Sequence, residues 1–170
     1  MISEPYTYIN PLGETVETVL EYCEVDNFDH LELVKCRQVR AVTYDPDLAI
    51  CFVQHSGGRE WGHPGGTIEK NGETPLEALE RELVEETNTK LIKAIPIGYQ
   101  TVVHPNGEKP DFYQLRYVAF VSKIGDFIAD PAEPNLVCKE VSFEDVPQYI
   151  QWGEIGDRIY EQAQKIIRPA

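Results

Sequence analysis

The sequence predicts an α/β sandwich with a mixed β-sheet, on three observations. β-branched and aromatic runs recur along the chain, two amphipathic helical stretches are interleaved with them, and no break in composition divides the 170 residues. A chain of this length is one domain by default. It buries about 70% of the surface that its unfolded form exposes, enough for a full core without disulfides.

Taken in order, residues 1 to about 35 are acidic, with Pro5, Tyr6, Tyr8 and Pro11 scattered among polar side chains, and they read as an N-terminal extension. It is either part of the same domain or an arm reaching a second copy in a homodimer. A short helix is expected over 14–22. From Cys36 the pattern sharpens: VRAVTYD and LAICFVQ are strand-like runs split by Asp45-Pro46-Asp47, a turn signal that predicts a hairpin. Residues 56–72, SGGREWGHPGGTIEKNG, hold six glycines and one proline, a loop free to approach something closely. A helix follows, with Thr74 as its cap, Pro75 at the first helical position and Glu77 completing a capping box. It runs to about residue 87, where Asn88 serves as a left-handed terminator. Strands are expected over 91–103, 112–123 and 137–143. A closing amphipathic helix over 153–167 carries Ile155, Ile159, Tyr160 and Ala163 on one side.

Charge excludes several functions. With 29 acidic and 15 basic side chains the formal net charge is -14, which rules out a general nucleic-acid clamp. Sparse basic residues also argue against long RNA or inositol pyrophosphates as substrates. Cys23, Cys36, Cys51 and Cys138 match no zinc or redox spacing and read as reduced thiols of a cytoplasmic protein. No signal sequence is recognisable, and the longest apolar run, residues 48–53, is far short of the roughly 20 needed to span a bilayer.

The helix after the glycine loop places its charges against its own interest. At 100° per residue, Glu82, Glu85 and Glu86 share an arc of about 100° beside the leucine face. Like-charged i,i+3 and i,i+4 pairs cost about 0.2–0.5 kcal/mol each, and the C-terminal turns disfavour acids by roughly 0.3–1 kcal/mol more. A cation should offset this. Oxygen donors at this spacing suit Mg2+ or Mn2+. Arg81, four residues before Glu85, offers the blander alternative of an ordinary ion pair on a solvated face.

Read together, WGHPGGTIEKNGETPLEALERELVEETN resembles the Nudix hydrolase signature, through Trp61, Pro64, Gly65, Gly66, Gly72, Glu73, Arg81, Glu82, Leu83, Glu85 and Glu86. There are three departures. Six residues instead of five separate Gly66 from Glu73, an insertion placed at 70–72; Asn88 replaces a glycine; and Thr89 replaces a hydrophobe. The resemblance implies a Nudix-type α/β/α sandwich over residues 36–170 and hydrolysis of a nucleoside diphosphate linked to another moiety. It implies divalent ions held by Glu82, Glu85, Glu86 and the Gly66 carbonyl, with Glu82 as general base in some members. Arg81 would orient Glu82 or Glu85, while Gly65 and Glu73 have structural roles. A further acid from a later loop would be Glu133, Glu140 or Asp111. The departures keep open a non-catalytic module that senses a nucleotide.

The resemblance implies a small nucleotide as substrate. Pro105, 16 residues after Thr89 (105 minus 89), resembles the ADP-ribose pyrophosphatase subgroup and favours ADP-ribose or another nucleotide sugar over non-standard nucleoside triphosphates. Gly107 stands where dinucleoside polyphosphate hydrolases carry a tyrosine. Trp61 and Tyr113 are candidates to stack on a base and His63 to touch a phosphate, although each also fits an ordinary core position.

Overall fold

The computed structural model describes residues 1–9, 13–57, 60–69, 72–107, 109–129 and 134–169. Five strands form one sheet in the order β1 (Ile2–Ile9), β2 (Thr15–Cys23), β5 (Thr89–Val103), β6 (Phe112–Lys123) and β3 (Cys36–Tyr44). β3 and β6 run parallel while the other pairs are antiparallel, so the sheet is mixed as expected. A second sheet pairs β4 (Ile50–Ser56) with β7 (Leu136–Ser142).

Helices cover both faces of the larger sheet. α1 (Pro75–Thr87) buries Ala78, Leu79 and Leu83 against Val39, Ala41, Leu115 and Val121. After the short α2 (Val146–Tyr149), α3 (Gly153–Ile167) packs Ile155, Ile159 and Ala163 against Val42, Val118 and Ile97 on the opposite face. Period-2 alternation produces this division: Val39 and Ala41 point one way, Arg40 and Val42 the other. Each fully buried leucine contributes about 1.5–3 kcal/mol through its removal from water.

Both ends of α1 form as the sequence predicts. Thr74 accepts from the Glu77 amide at 3.3 Å, and Glu77 accepts from the Thr74 amide at 2.8 Å. Asn88 closes the helix at φ 50° and ψ 46°, in the left-handed region.

Two expectations fail. Residues 14–22 form no helix, because β2 takes them into the sheet against β5, where Tyr22 is fully buried and donates its hydroxyl to Ile97 O at 3.0 Å. Alternation of Val16, Thr18 and Leu20 overrides any helical tendency, and a side chain at Gly98 would strike the Tyr22 ring. Nor do β3 and β4 form a simple hairpin. Asp45 and Ile50 exchange backbone hydrogen bonds at 2.8 and 3.3 Å, but beyond this turn the strands enter different sheets. The Thr43 hydroxyl marks the divergence, accepting from the Phe52 amide at 3.0 Å and donating to the Phe52 carbonyl at 3.2 Å in place of a backbone ladder.

Candidate active site

A glycine-rich strap brings the candidate site residues to one edge of the sheet. Residues 62–68 run alongside β3: Ala41 N donates to Pro64 O, Val39 N to Gly66 O and Ile68 N to Arg37 O, each at 2.9 Å. Only glycine fits at two positions of the strap. Gly65 has φ 135°, and a Cβ there would lie 2.2 Å from the Val39 carbonyl oxygen. A Cβ on Gly66 would lie 2.3 Å from Glu82 Oε1, so the backbone rests directly on that carboxylate.

Arg81 organises the acids of α1. Its Nε donates to Glu73 Oε1 at 2.9 Å and Nη2 to Glu73 Oε2 at 3.2 Å, while Nη1 reaches Glu82 Oε1 at 2.8 Å and Glu85 Oε2 at 3.1 Å. Nη2 also donates to the Thr67 carbonyl at 2.9 Å, tying the strap to the helix. Glu73 accepts the Glu69 amide at 2.8 Å, so this acid holds the strap to the start of α1. Glu86 accepts from the Gly65 amide at 2.6 Å. Gly65, Gly66, Glu73, Arg81, Glu82, Glu85 and Glu86 are therefore one connected cluster.

The electrostatics divide these acids. Hydrogen bonding to Arg81 holds the Glu73 carboxyl below the usual carboxylate range. Glu82 is pushed above it, chiefly by burial, although Arg81 opposes the shift. Arg81 itself is raised by Glu73. The arginine offsets the crowding of like charges on α1, a role for which the bare helical spacing also admits a divalent ion. Among the described residues, no three acidic, histidine or cysteine side chains already form a metal cage. The donor chemistry fits a hard divalent ion nonetheless. Glu82, Glu85, Glu86 and the Gly66 carbonyl all offer oxygen, and Arg81 touches only one oxygen each of Glu82 and Glu85.

Other predicted residues lie along the strap or away from the cluster. The Trp61 ring packs edge-to-face with His55 at 4.5 Å and Tyr149 at 5.4 Å. His63 is buried, its ring 5.3 Å from Trp152. Pro105 is exposed in the turn after β5, and Tyr113 packs edge-to-face on Tyr99 at 5.4 Å. Among the described residues no hydrogen bond or ion pair joins either to α1. Of the candidates for a further acid, Glu140 pairs with Lys123 at 2.6 Å, and Asp111 accepts the His104 amide at 2.8 Å. Glu133 and the insertion at Lys70 and Asn71 lie outside the described residues.

Sequence reading missed Arg40 and Arg116, which are adjacent partners on the parallel pair β3 and β6. The signal was present: each is a lone cation inside an otherwise apolar strand run, VRAV and RYVAFV. Arg40 Nη1 donates to the His63 carbonyl at 2.9 Å. Burial and the charges of Arg116 and Arg40 push the His63 imidazole down to about 3.

A mixed sheet between two helices, with an arginine-braced carboxylate helix resting on a diglycine strap, defines a pyrophosphohydrolase of the Nudix type. Residues 34–163 match the family model described as NUDIX domain, and the chain belongs to that family. Solved structures share the fold. A mutant form of the pyrophosphohydrolase BsRppH of Bacillus subtilis superposes with a TM-score of 0.66 at 15% identity, covering 95% of this chain and 97% of that one. A NUDIX hydrolase from Nitrosomonas europaea gives 0.58 at 17% identity, covering 79% and 92%. The C. elegans Ap4A hydrolase gives 0.55 at 16%, covering 76% and 98%. At these identities the likeness is one of fold. No curated protein sequence matches the chain, and no helix among the described residues is long and apolar enough to cross a membrane.

Proposed function

We propose that the chain hydrolyses a pyrophosphate bond in a nucleoside diphosphate-linked small molecule, with ADP-ribose or another nucleotide sugar ahead of non-standard nucleoside triphosphates. One observation carries this reading: the Gly66 backbone sits on the Glu82 carboxylate, and Arg81 ties Glu82 and Glu85 to Glu73 and the strap. Such a cluster places oxygen donors beside a backbone bare enough for a phosphate to approach.

Glu82, Glu85, Glu86 and the Gly66 carbonyl are the residues that would hold Mg2+ or Mn2+. Such an ion supplies charge neutralisation of the phosphoryl oxygens and acidification of water. Where Glu82 is not itself an ion ligand, its carboxyl, raised by burial, would take a proton from the attacking water. Arg81 fixes the direction of Glu82 and Glu85, and Glu73 anchors Arg81. Pro105 supports the nucleotide-sugar preference by subgroup resemblance alone.

The test is a panel of ADP-ribose, other nucleotide sugars and non-standard nucleoside triphosphates, assayed with Mg2+ or Mn2+ for wild type, Glu85→Gln and Glu86→Gln. Turnover should fall by orders of magnitude in both variants while their circular dichroism stays that of the wild type. Unchanged turnover would remove the metal assignment. Binding of panel members without turnover in the wild type would assign the chain to the non-catalytic sensors.

A further inference from the structure

Arg116 is the most unusual charge in the molecule. It is only 4% exposed, in a chain where acids outnumber basic residues by 29 to 15. Its Nη2 donates to Gln100 Oε1 at 2.8 Å and Gln114 Oε1 at 2.9 Å, both neutral acceptors. Among the described residues Nε and Nη1, both buried, have no hydrogen-bond partner, which leaves three of the five guanidinium N–H groups unused. Among the described residues no carboxylate pairs with it. Its neighbour Arg40 adds a second positive charge, hydrogen-bonded to the His63 carbonyl and close enough to Glu82 to act on that carboxyl. Burial, reinforced by the Arg40 charge, pushes the Arg116 guanidinium down to about 9.

Folding alone does not explain this arrangement. A buried cation without its counter-ion is strongly unfavourable, and each unmet buried donor adds to the cost. The Trp152 ring, with the Arg116 guanidinium carbon 5.3 Å from its centroid, offsets only part of that. Two adjacent guanidiniums, of which Arg116 has no acid beside it among the described residues, are matched by a multiply charged oxyanion, which a neutral base edge would not neutralise.

The residues packed around the two arginines connect them to the reaction site. Gly62 packs closely here: a Cβ would meet the Trp152 ring at 3.1 Å and come within 3.9 Å of Arg40 Nη1. The His63 ring packs edge-to-face on Trp152 at 5.3 Å. The Arg40 Cα lies 2.7 Å from the point a Gly65 Cβ would occupy, so the arginine pair begins where the diglycine strap meets β3. We propose that Arg40 and Arg116, walled by Gly62, His63 and Trp152, bind a phosphoryl group of the substrate other than the one attacked beside Glu82. The inference rests on the pyrophosphohydrolase reading and narrows it: the accepted substrate is recognised through an oxyanion as well as through its scissile anhydride.

The test uses inorganic pyrophosphate as probe on the whole chain in EDTA, where the α1 acids can only repel it. Wild type should show a saturable rise in melting temperature. Arg40→Gln and Arg116→Gln should each weaken apparent binding about tenfold or more, Arg116→Lys less, and Glu85→Gln not at all. Arg40→Gln, at a partly exposed position, carries the test should Arg116→Gln fail to fold. In turnover, Arg40→Gln should raise KM with little change in kcat. No stabilisation of the wild type, or stabilisation that persists in both glutamine variants, overturns the inference even when turnover is normal. Arginine-dependent pyrophosphate binding in a chain that hydrolyses nothing in the panel sustains the site and removes the hydrolase reading instead.

Discussion

Arg81 grips Glu73 through two nitrogens, at 2.9 and 3.2 Å, while its third nitrogen faces Glu82 and Glu85 at 2.8 and 3.1 Å. One planar fork thus fixes an anchor acid and two candidate metal ligands at once, a task that a point charge on a flexible stem performs poorly. Arg81→Lys should fold normally yet lose about 10–100-fold in kcat, in the range seen when outer partners of metal ligands are removed. Steady-state rates with Mn2+ check this. A lysine variant as fast as the wild type would show that charge alone suffices.

Removing one acid should matter with metal present and not without it. In EDTA, Glu85→Gln loses a half-exposed ion pair worth about 0.3–0.5 kcal/mol and relieves repulsion of similar size, so its stability should match the wild type. With Mn2+ at 100 times its dissociation constant, the wild type should gain about 2.7 kcal/mol and the variant little. Thermal unfolding under both conditions reads the difference. An equal gain in both proteins would place the ion elsewhere.

The ends of α1 test the local rules that positioned the site. Thr74→Ala removes the cap acceptor at 3.3 Å and should cost about 1 kcal/mol. Asn88→Val forces a β-branched residue to φ 50° and should cost roughly 1–2 kcal/mol. Asn88→Gly should cost less, since glycine accepts that conformation and forfeits only the side-chain bond to Asp126 O at 3.0 Å. Urea midpoints rank the three. A valine variant as stable as the glycine one would show that the left-handed turn is not enforced.

Legibility followed range. Thr74, Pro75, Glu77 and Asn88 act within a few residues of one another, so their roles in α1 were visible in the sequence. The cluster of acids was equally visible because helical spacing is fixed. What remained hidden depended on pairing between distant strands. Residues 14–22 became a strand only because β5 and the space over Gly98 receive Tyr22. Arg40 and Arg116 stand 76 positions apart (116 minus 40), and nothing local announces that a parallel pairing sets them side by side. The strap's contact with Val39 was likewise beyond local reading, although its glycines were conspicuous.

His63 should give the protein a distinctive acid sensitivity. Its native imidazole is held down to about 3 by burial and by the Arg116 and Arg40 charges, whereas the unfolded side chain titrates near its ordinary 6.5. Above 6.5 both forms are neutral and the full contribution is present. As pH falls below 6.5 the unfolded chain takes a proton that the native chain refuses, so stability drops by about 1.4 kcal/mol per pH unit. The loss ends near 3, where the native imidazole also titrates. Between pH 6.5 and 5.5 most carboxylates remain ionised, so this histidine should dominate the slope. His63→Gln, neutral throughout, should flatten the curve of unfolding free energy against pH in that window, measured by urea titration. A variant that retains the wild-type slope would show that His63 is protonated in the native protein or that another group controls the transition.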